Sequence, residues 1–297
     1  MAPRQTRPVT GYLLVLAATA IWSGNFIVAR GLSDSIPPVT LGFLRWATAV
    51  LAVLPFGLRP LYRSRSTVRK NLGYLALCGF LGVTVFNTLI YIAAHTSKAL
   101  NLSLIAICSP LFIVMFARVF LGEPFTRPRI IGLVAATLGV VLLITGGHTS
   151  RLTDMHFSAG DAWMLVASAI FALYGILVRV KSPELSPMVF LTSTFILGLV
   201  FLVPWVAWEM TAVREIHFSR TAIASIVYLG IGPSLLAFWC WNQAIAIIGP
   251  VRSAFVYYCL PLFSGLEALV LLNEPIQAVH VVSGVLILTG VVVATRE

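Results

Sequence analysis

Cys108-Ser-Pro-Leu-Phe112 and, nine residues further on, Leu121-Gly-Glu-Pro124 return later in the chain as Cys259-Leu-Pro-Leu-Phe263 and Leu272-Asn-Glu-Pro275, each at an offset of 151 residues. Between Cys108 and Pro124, nine of seventeen positions are identical to their partners, and the agreement continues at Gly139-Val-Val141 and Gly290-Val-Val292. Shared hydrophobicity alone does not produce such a match, so the chain reads as an internal duplication. At an offset of 149 the front ends agree as well: Ala20-Ile21 with Ala169-Ile170, Arg30 with Arg179, and Pro38 with Pro187. Residues 1–150 and 155–297 are therefore expected to be copies.

The material being duplicated is apolar. Of 297 residues 59% are hydrophobic and only 10% charged, with a mean hydropathy of +0.97. A soluble domain carries roughly 25% charged residues to cover itself, so a bilayer is the solvent this composition fits. A membrane-crossing helix needs about 20 mostly apolar residues. Ten stretches qualify: Gly11 to Arg30, Pro38 to Phe56, Asn71 to Ala94, Lys98 to Leu121 and Pro128 to Thr145, then Asp161 to Val180, Met188 to Trp208, Thr221 to Ile247, Pro250 to Leu272 and Ile276 to Thr295. The first keeps an Arg at its far end and lacks a small-residue cleavage site, which reads as a retained helix rather than a signal peptide. No connection is long enough for a soluble module.

Charge supplies the orientation. With the N-terminus in the cytoplasm, the inside collects Arg4, Arg7, Arg59, Arg63, Arg65, Arg69, Lys70, Arg118, Arg127, Arg129, Arg179, Lys181, Arg252 and Arg296, against Arg30, Lys98, Arg151, Arg214 and Arg220 outside. This follows the positive-inside rule with both termini cytoplasmic. The net charge of +10 is thus a topology signal, and the basic run from Arg59 to Lys70 lacks the interleaved aromatics that nucleic acid would call for. Five helices per copy is an odd number, so the second copy enters the bilayer from the opposite side. The expected fold is an all-α polytopic membrane protein, ten transmembrane helices as two inverted five-helix repeats around a midplane site, an architecture typical of secondary transporters.

Trp22-Ser-Gly-Asn-Phe26, Arg45 and the two Leu-x-Glu-Pro turns, in this order and spacing, resemble the drug/metabolite transporter superfamily in its EamA-type branch. Within it the chain is most similar to the aromatic amino-acid exporter subgroup typified by YddG. The resemblance implies a basket of helices one to four and six to nine around a central cavity, with helices five and ten peripheral. It also implies export of amino acids, aromatic or neutral, across a bacterial cytoplasmic (inner) membrane. An uncoupled facilitator, or an exporter of other amphipathic metabolites, is the alternative.

Ionisable groups inside spans are costly, so Arg45 and Glu267 are functional candidates. Arg45 either clamps a substrate carboxylate or is structural, snorkelling or bonding to carbonyls. Glu267 accepts a substrate ammonium, carries a coupling proton, or pairs with a neighbour such as Arg45. Mid-span polar and aromatic residues complete the candidate lining: Trp22, Asn25, Asn87, Tyr91, Tyr174, Trp239, Trp241, Asn242, Tyr257 and Tyr258. Buried amides need partners or a wet cavity, and aromatic walls with a few polar groups suit amphipathic solutes. Pro110 and Pro261, at equivalent points of the two copies, and Gly232-Pro233 are candidate hinges. Ala20/Gly24, Ala135/Gly139 and Gly290/Ala294 read as packing seams.

Cys78, Cys108, Cys240 and Cys259 read as structural thiols. The histidines (His95, His148, His156, His217 and His280) lie at helix ends or in loops, so neither a metal site nor enzyme chemistry is expected, and no cofactor. The expected partners are a small-molecule substrate and the lipid bilayer. The protein itself is expected to be a monomer or a weak homodimer.

Overall fold

The structure is a computed structural model describing residues 8–32, 35–97, 99–148, 150, 158–212, 216, 218–272 and 278–296. Its regular elements are all helical. They are α1 (Pro8–Leu32), α2 (Pro38–Arg63), α3 (Arg65–Lys70), α4 (Leu72–Gly79), α5 (Phe86–Thr96), α6 (Ala99–Ala106), α7 (Cys108–Leu121) and α8 (Arg127–Thr145). There follow α9 (Ala159–Arg179), α10 (Pro187–Ala212), α11 (Arg220–Leu229), α12 (Ala237–Tyr257), α13 (Leu260–Leu272) and α14 (Ala278–Thr295). Two π-helical turns, Phe80–Val85 and Gly230–Leu236, join α4 to α5 and α11 to α12.

Among the described residues, eight helical segments are long and apolar enough to cross a membrane, and α1 runs for 25 residues ahead of them. One of the eight, Arg220–Tyr257, is 38 residues long, almost twice what one crossing needs. It is broken at Gly249, whose φ of 84° and ψ of 164° lie outside the helical region, with Pro250 behind it. A left-handed φ is accessible to glycine because it has no Cβ. This break falls where the sequence separates the eighth span from the ninth.

The interruptions recur at matching places. The first π turn starts at Phe80 and the second at Gly230, and the break at Ile107 between α6 and α7 is matched by one at Tyr258–Cys259 between α12 and α13. Pro110 and Pro261 stand in the first turns of α7 and α13. A proline there removes a donor that would have been orphaned anyway, so both prolines start a new helix after a gap rather than kinking a continuous one.

Helices from the two copies interleave instead of forming separate bodies. α1 packs on α12, α2 and α4 on α10, and α5 and α7 on α9, while α8 pairs along its length with α14. That last seam uses Gly132 and Ala136 against Gly290 and Ala294, and Gly139 against Leu286 and Ile287, with Ala135 only half-buried beside it. A Cβ on Gly132 would stand 2.4 Å from the Gly290 carbonyl oxygen, so the backbones touch.

One local expectation differs: the connection between the second and third expected spans, Gly57 to Lys70, is not a polar loop, since α2 continues to Arg63 and α3 follows, with the Arg65 guanidinium 5.1 Å from the centre of the Tyr62 ring. The chain stays helical because nothing between Gly57 and Lys70 except Pro60 opposes it, and Arg and Lys are good helix formers. The second Leu-Asn-Glu-Pro turn lies at 273–275, and Arg4, Arg7, Lys98, Arg151, Arg214, His156 and His217 also fall outside the described residues.

Candidate functional site

Arg45, only 1% exposed, is the centre of a polar cluster in the middle of the bundle. Its Nε donates to Ser234 Oγ in the second π turn, and its Nη1 donates to Tyr91 Oη at 2.8 Å and to Asn25 Oδ1 at 3.3 Å. Ser234 in turn donates to the Leu229 carbonyl at 2.8 Å, five residues back. Asn87 does likewise in the first copy, its Nδ2 donating to the Gly82 carbonyl at 3.2 Å. A π turn frees carbonyls from the ordinary ladder, and in both copies a side chain five residues on takes one up.

Among the described residues no carboxylate reaches Arg45. Among the described residues the only ion pair joins Arg129 to Glu123 at 3.1 Å, at the first Glu-Pro turn. Nη2 of Arg45 makes no hydrogen bond within the described structure, and the residue borders a cavity of about 30 Å³, roughly the share of one water in the liquid. Around that cavity stand Trp22 and Asn25 from α1, Phe86, Asn87 and Ile90 from α5, Ser109 from α7, Met164 and Phe171 from α9, and Phe238 and Tyr257 from α12. The rings form one connected cluster. Phe171 stacks on Phe86 at 4.7 Å and on Trp241 at 5.1 Å, while Trp22 contacts Phe171, Phe238, Trp241 and Tyr257 within 5.9 Å. Edge and offset contacts of this kind contribute ~0.5–1.5 kcal/mol each beyond area burial.

The motif Trp22-Ser-Gly-Asn25 has one task per residue. The Trp22 indole N–H donates to the Pro233 carbonyl at 2.8 Å, and Asn25 accepts from Arg45. Ser23 Oγ lies 2.7 Å from Glu267 Oε1 and 2.6 Å from the Ala20 carbonyl oxygen. Gly24 leaves room where a Cβ would meet Tyr228 Oη at 2.6 Å and Glu267 Oε2 at 3.7 Å.

Of the sequence candidates, Trp22, Asn25, Arg45, Asn87, Tyr91, Trp241 and Tyr257 come together at this centre. Tyr174 and Asn242 bond to each other at 3.0 Å, both buried but outside the cavity lining. Trp239 is 37% exposed on the outer face of α12, opposite Phe238 and Trp241, because one residue along a helix rotates a side chain by about 100°. Tyr258 turns away toward α8, its hydroxyl 3.0 Å from that of Thr137. Glu267 stands behind α1 rather than in the cavity wall, and it is not paired with Arg45. Gly232 and Pro233 form the second π turn, and Pro110 and Pro261 border a second cavity of about 270 Å³ between the α6–α7 and α12–α13 breaks, α8 and α14. Tyr257 borders both cavities.

Sequence reasoning misses Phe86, Ser109, Met164, Phe171, Ser234 and Phe238. Apolar rings carry no mark of which face they occupy in a helix that is hydrophobic all round. Ser234 was within reach, since it directly follows Gly232-Pro233.

The sequence profile of the EamA-like transporter family matches residues 9–145 and again residues 158–296. The chain belongs to the EamA-like transporter family. It is 24% identical to the uncharacterized transporter YyaM of Bacillus subtilis (strain 168), over 96% of this chain and 93% of that relative. It is 29% identical to a protein of Streptantibioticus cattleyicolor described as a probable terminal-alkyne amino-acid exporter, again over 96% of this chain and 93% of that one. A solved crystal structure superposes with a TM-score of 0.78 over 97% of this chain and 96% of its own, at 19% identity, which shows the shared fold. This EamA-family protein is thus a polytopic membrane transporter by family.

Proposed function

We propose that this EamA-family chain is a secondary transporter that exports small amphipathic metabolites, foremost amino acids with aromatic or neutral side chains, by alternating access. The observation that carries this reading is Arg45: a buried guanidinium with no carboxylate counter-ion among the described residues, bordering a cavity walled by aromatic rings. An unpaired cation in that setting is costly unless an anionic group completes it. A carboxylate is the group a guanidinium accommodates best, and the rings around it suit an apolar side chain. The amino-acid exporter among the relatives supports the same class.

The proposed architecture is ten crossings as two inverted five-helix copies, residues 1–150 and 155–297, in the cytoplasmic membrane with both termini inside. The two family matches, the paired π turns and the paired breaks support it. The lipid bilayer and the solute are the proposed partners, the protein acting as a monomer or weak homodimer. The cavity of about 270 Å³ beside Tyr257 favours a second reading, solutes with a longer apolar tail.

The test is counterflow in proteoliposomes preloaded with single amino acids. Phenylalanine and other neutral amino acids should exchange with radiolabelled L-phenylalanine. Absence of exchange with every amino acid, alongside transport of longer-tailed organic acids, would replace the first reading by the second.

A further inference from the structure

Three carboxylates are held within the helical bundle, and their surroundings differ in kind. Glu209, near the end of α10, receives the backbone N–H groups of Val39 and Thr40 at 3.0 and 2.7 Å and the Thr40 hydroxyl at 2.7 Å, at the N-terminus of α2. Asp161, in the first turn of α9, receives the Ser97 hydroxyl, Asn101 Nδ2 at 3.1 Å, and the Ser158 N–H and hydroxyl at 2.6 and 3.2 Å. Both sit among donors at helix N-termini, where a negative charge is stabilised. Each has its carboxyl oxygens taken up by several donors.

Glu267 has none of this. Among the described residues Oε2 is buried without a hydrogen-bond partner, and the one hydrogen-bond partner of Oε1 is Ser23 Oγ. That hydroxyl has a single proton to give, and it also lies 2.6 Å from the Ala20 carbonyl, which can only accept. If Ser23 donates to Ala20, the 2.7 Å contact with Glu267 faces oxygen to oxygen and needs a proton on the carboxyl. If Ser23 donates to Glu267 instead, the Ala20 carbonyl is opposed by a lone pair. One added proton resolves both contacts: Glu267 donates to Ser23, and Ser23 donates to Ala20. Ser234 shows the same logic already complete, since it accepts from Arg45 Nε while donating to Leu229.

The groups facing Glu267 do not change this. Across α1, Tyr228 of α11 approaches over Gly24; it is a neutral donor or acceptor. His280 of α14 borders the cavity of about 270 Å³ together with Ser264 and Gly265 of α13, and it is not among the hydrogen-bond or ion-pair partners of Glu267. Arg45 of α2 is engaged by Ser234, Tyr91 and Asn25 and forms no ion pair. Among the described residues no cation is paired with Glu267.

We propose that Glu267 is a proton-binding site, occupied in this conformation, and that its proton exchange is linked to the Arg45 cavity through the Trp22-Ser-Gly-Asn25 segment. The proton sits on Glu267 Oε1 and leaves by breaking that O–H bond to water, which leaves a carboxylate beside α1. Ser23 and Asn25 are one half-turn apart on the same helix, one on Glu267 and the other on Arg45, so a shift of α1 that relieves the new charge also moves a wall of the cavity. With the cavity at about 30 Å³ there is no room for an amino acid. The protonated conformation is therefore not the solute-carrying one, and proton and solute travel in alternate conformations as an exchange. This rests on the transport reading above.

Two measurements test it. Infrared spectra of the purified wild-type protein at neutral pH should contain a protonated-carboxyl stretching band that shifts in Ser23→Ala and disappears in Glu267→Gln. The absence of such a band overturns the proposal, whatever the protein transports. In proteoliposomes acidic inside, the wild type should accumulate radiolabelled L-phenylalanine above the level reached without a gradient, and Glu267→Gln should lose that gradient-driven increment. Retention of the increment by Glu267→Gln, or accumulation driven only by outside acid, also overturns it. If the wild type does not transport phenylalanine at all, the substrate reading fails while the infrared band still decides the proton site.

Discussion

In Arg45 a structural role and the proposed substrate contact meet in one residue. Two of its nitrogens are spent on Ser234, Tyr91 and Asn25, which fixes the guanidinium plane in a residue that borders the cavity. Arg45→Lys keeps the charge but reduces the planar fork to a point charge on a flexible stem. Losing one or two charge-assisted hydrogen bonds of ~1.5–3 kcal/mol each should raise the half-saturation concentration for L-phenylalanine in counterflow by at least tenfold, with the size-exclusion profile of the protein unchanged. A wild-type value would return Arg45 to a purely structural role. Arg45, Asn25 and Trp22 were legible in the sequence because a polar or ionisable group in hydrocarbon must find a partner or a function. Phe171 and Phe238, equally central, were not, because an apolar ring is at home on any face of a membrane helix.

At the scale of elements, the paired irregularities carry the information. The π turns at Phe80–Val85 and Gly230–Leu236 place Asn87 and Ser234 where each takes up a freed carbonyl, and Ser234 then orients Arg45. Neither turn announces itself by hydropathy; only Gly79 with Gly82, and Gly230 with Gly232, hint at a loosened helix. The α8–α14 seam is the opposite case, written in small residues. A Cβ at Gly290 would lie 2.6 Å from Ala136 N and from the Gly132 carbonyl oxygen, backbone atoms that have nowhere to go. Gly290→Val should therefore cost more than the ~1–3 kcal/mol typical of overpacking and lower the thermal unfolding midpoint in detergent. Ala135→Val, half-buried beside the seam, should change it little. Equal midpoints for the two variants would remove the seam as a stabilising contact.

For the whole molecule, inversion is the property on which alternating access depends. Ser66 in α3 is exposed in the connection between the second and third crossings, and Thr211 near the end of α10 is exposed close to the matching connection of the second copy. Inverted copies put these two points on opposite sides of the membrane, and parallel copies put them on the same side. A membrane-impermeant maleimide added to intact cells should label Thr211→Cys and leave Ser66→Cys unlabelled until the cells are opened. The four native cysteines are buried or half-buried and give little background. Labelling of both variants in intact cells, or of neither, would contradict the inversion.

The sequence by itself determined the solvent and displayed an internal repeat, and it set the expectation of ten crossings. Each rests on a property that is additive along the chain: apolar content over about 20 residues, the side on which basic residues collect, and identity at a fixed offset between Cys108–Pro124 and Cys259–Pro275. It also named Arg45 and Glu267, since their cost in a bilayer is independent of what surrounds them. The surroundings of each were decided by tertiary structure alone. Whether Arg45 meets a carboxylate, whether Trp239 faces inward, and whether Glu267 stands among several donors or beside one serine all depend on residues far apart in the chain. Hydrogen bonds and burial act over a few ångströms, and only the packing of α1 against α2, α11, α12 and α13 sets those distances.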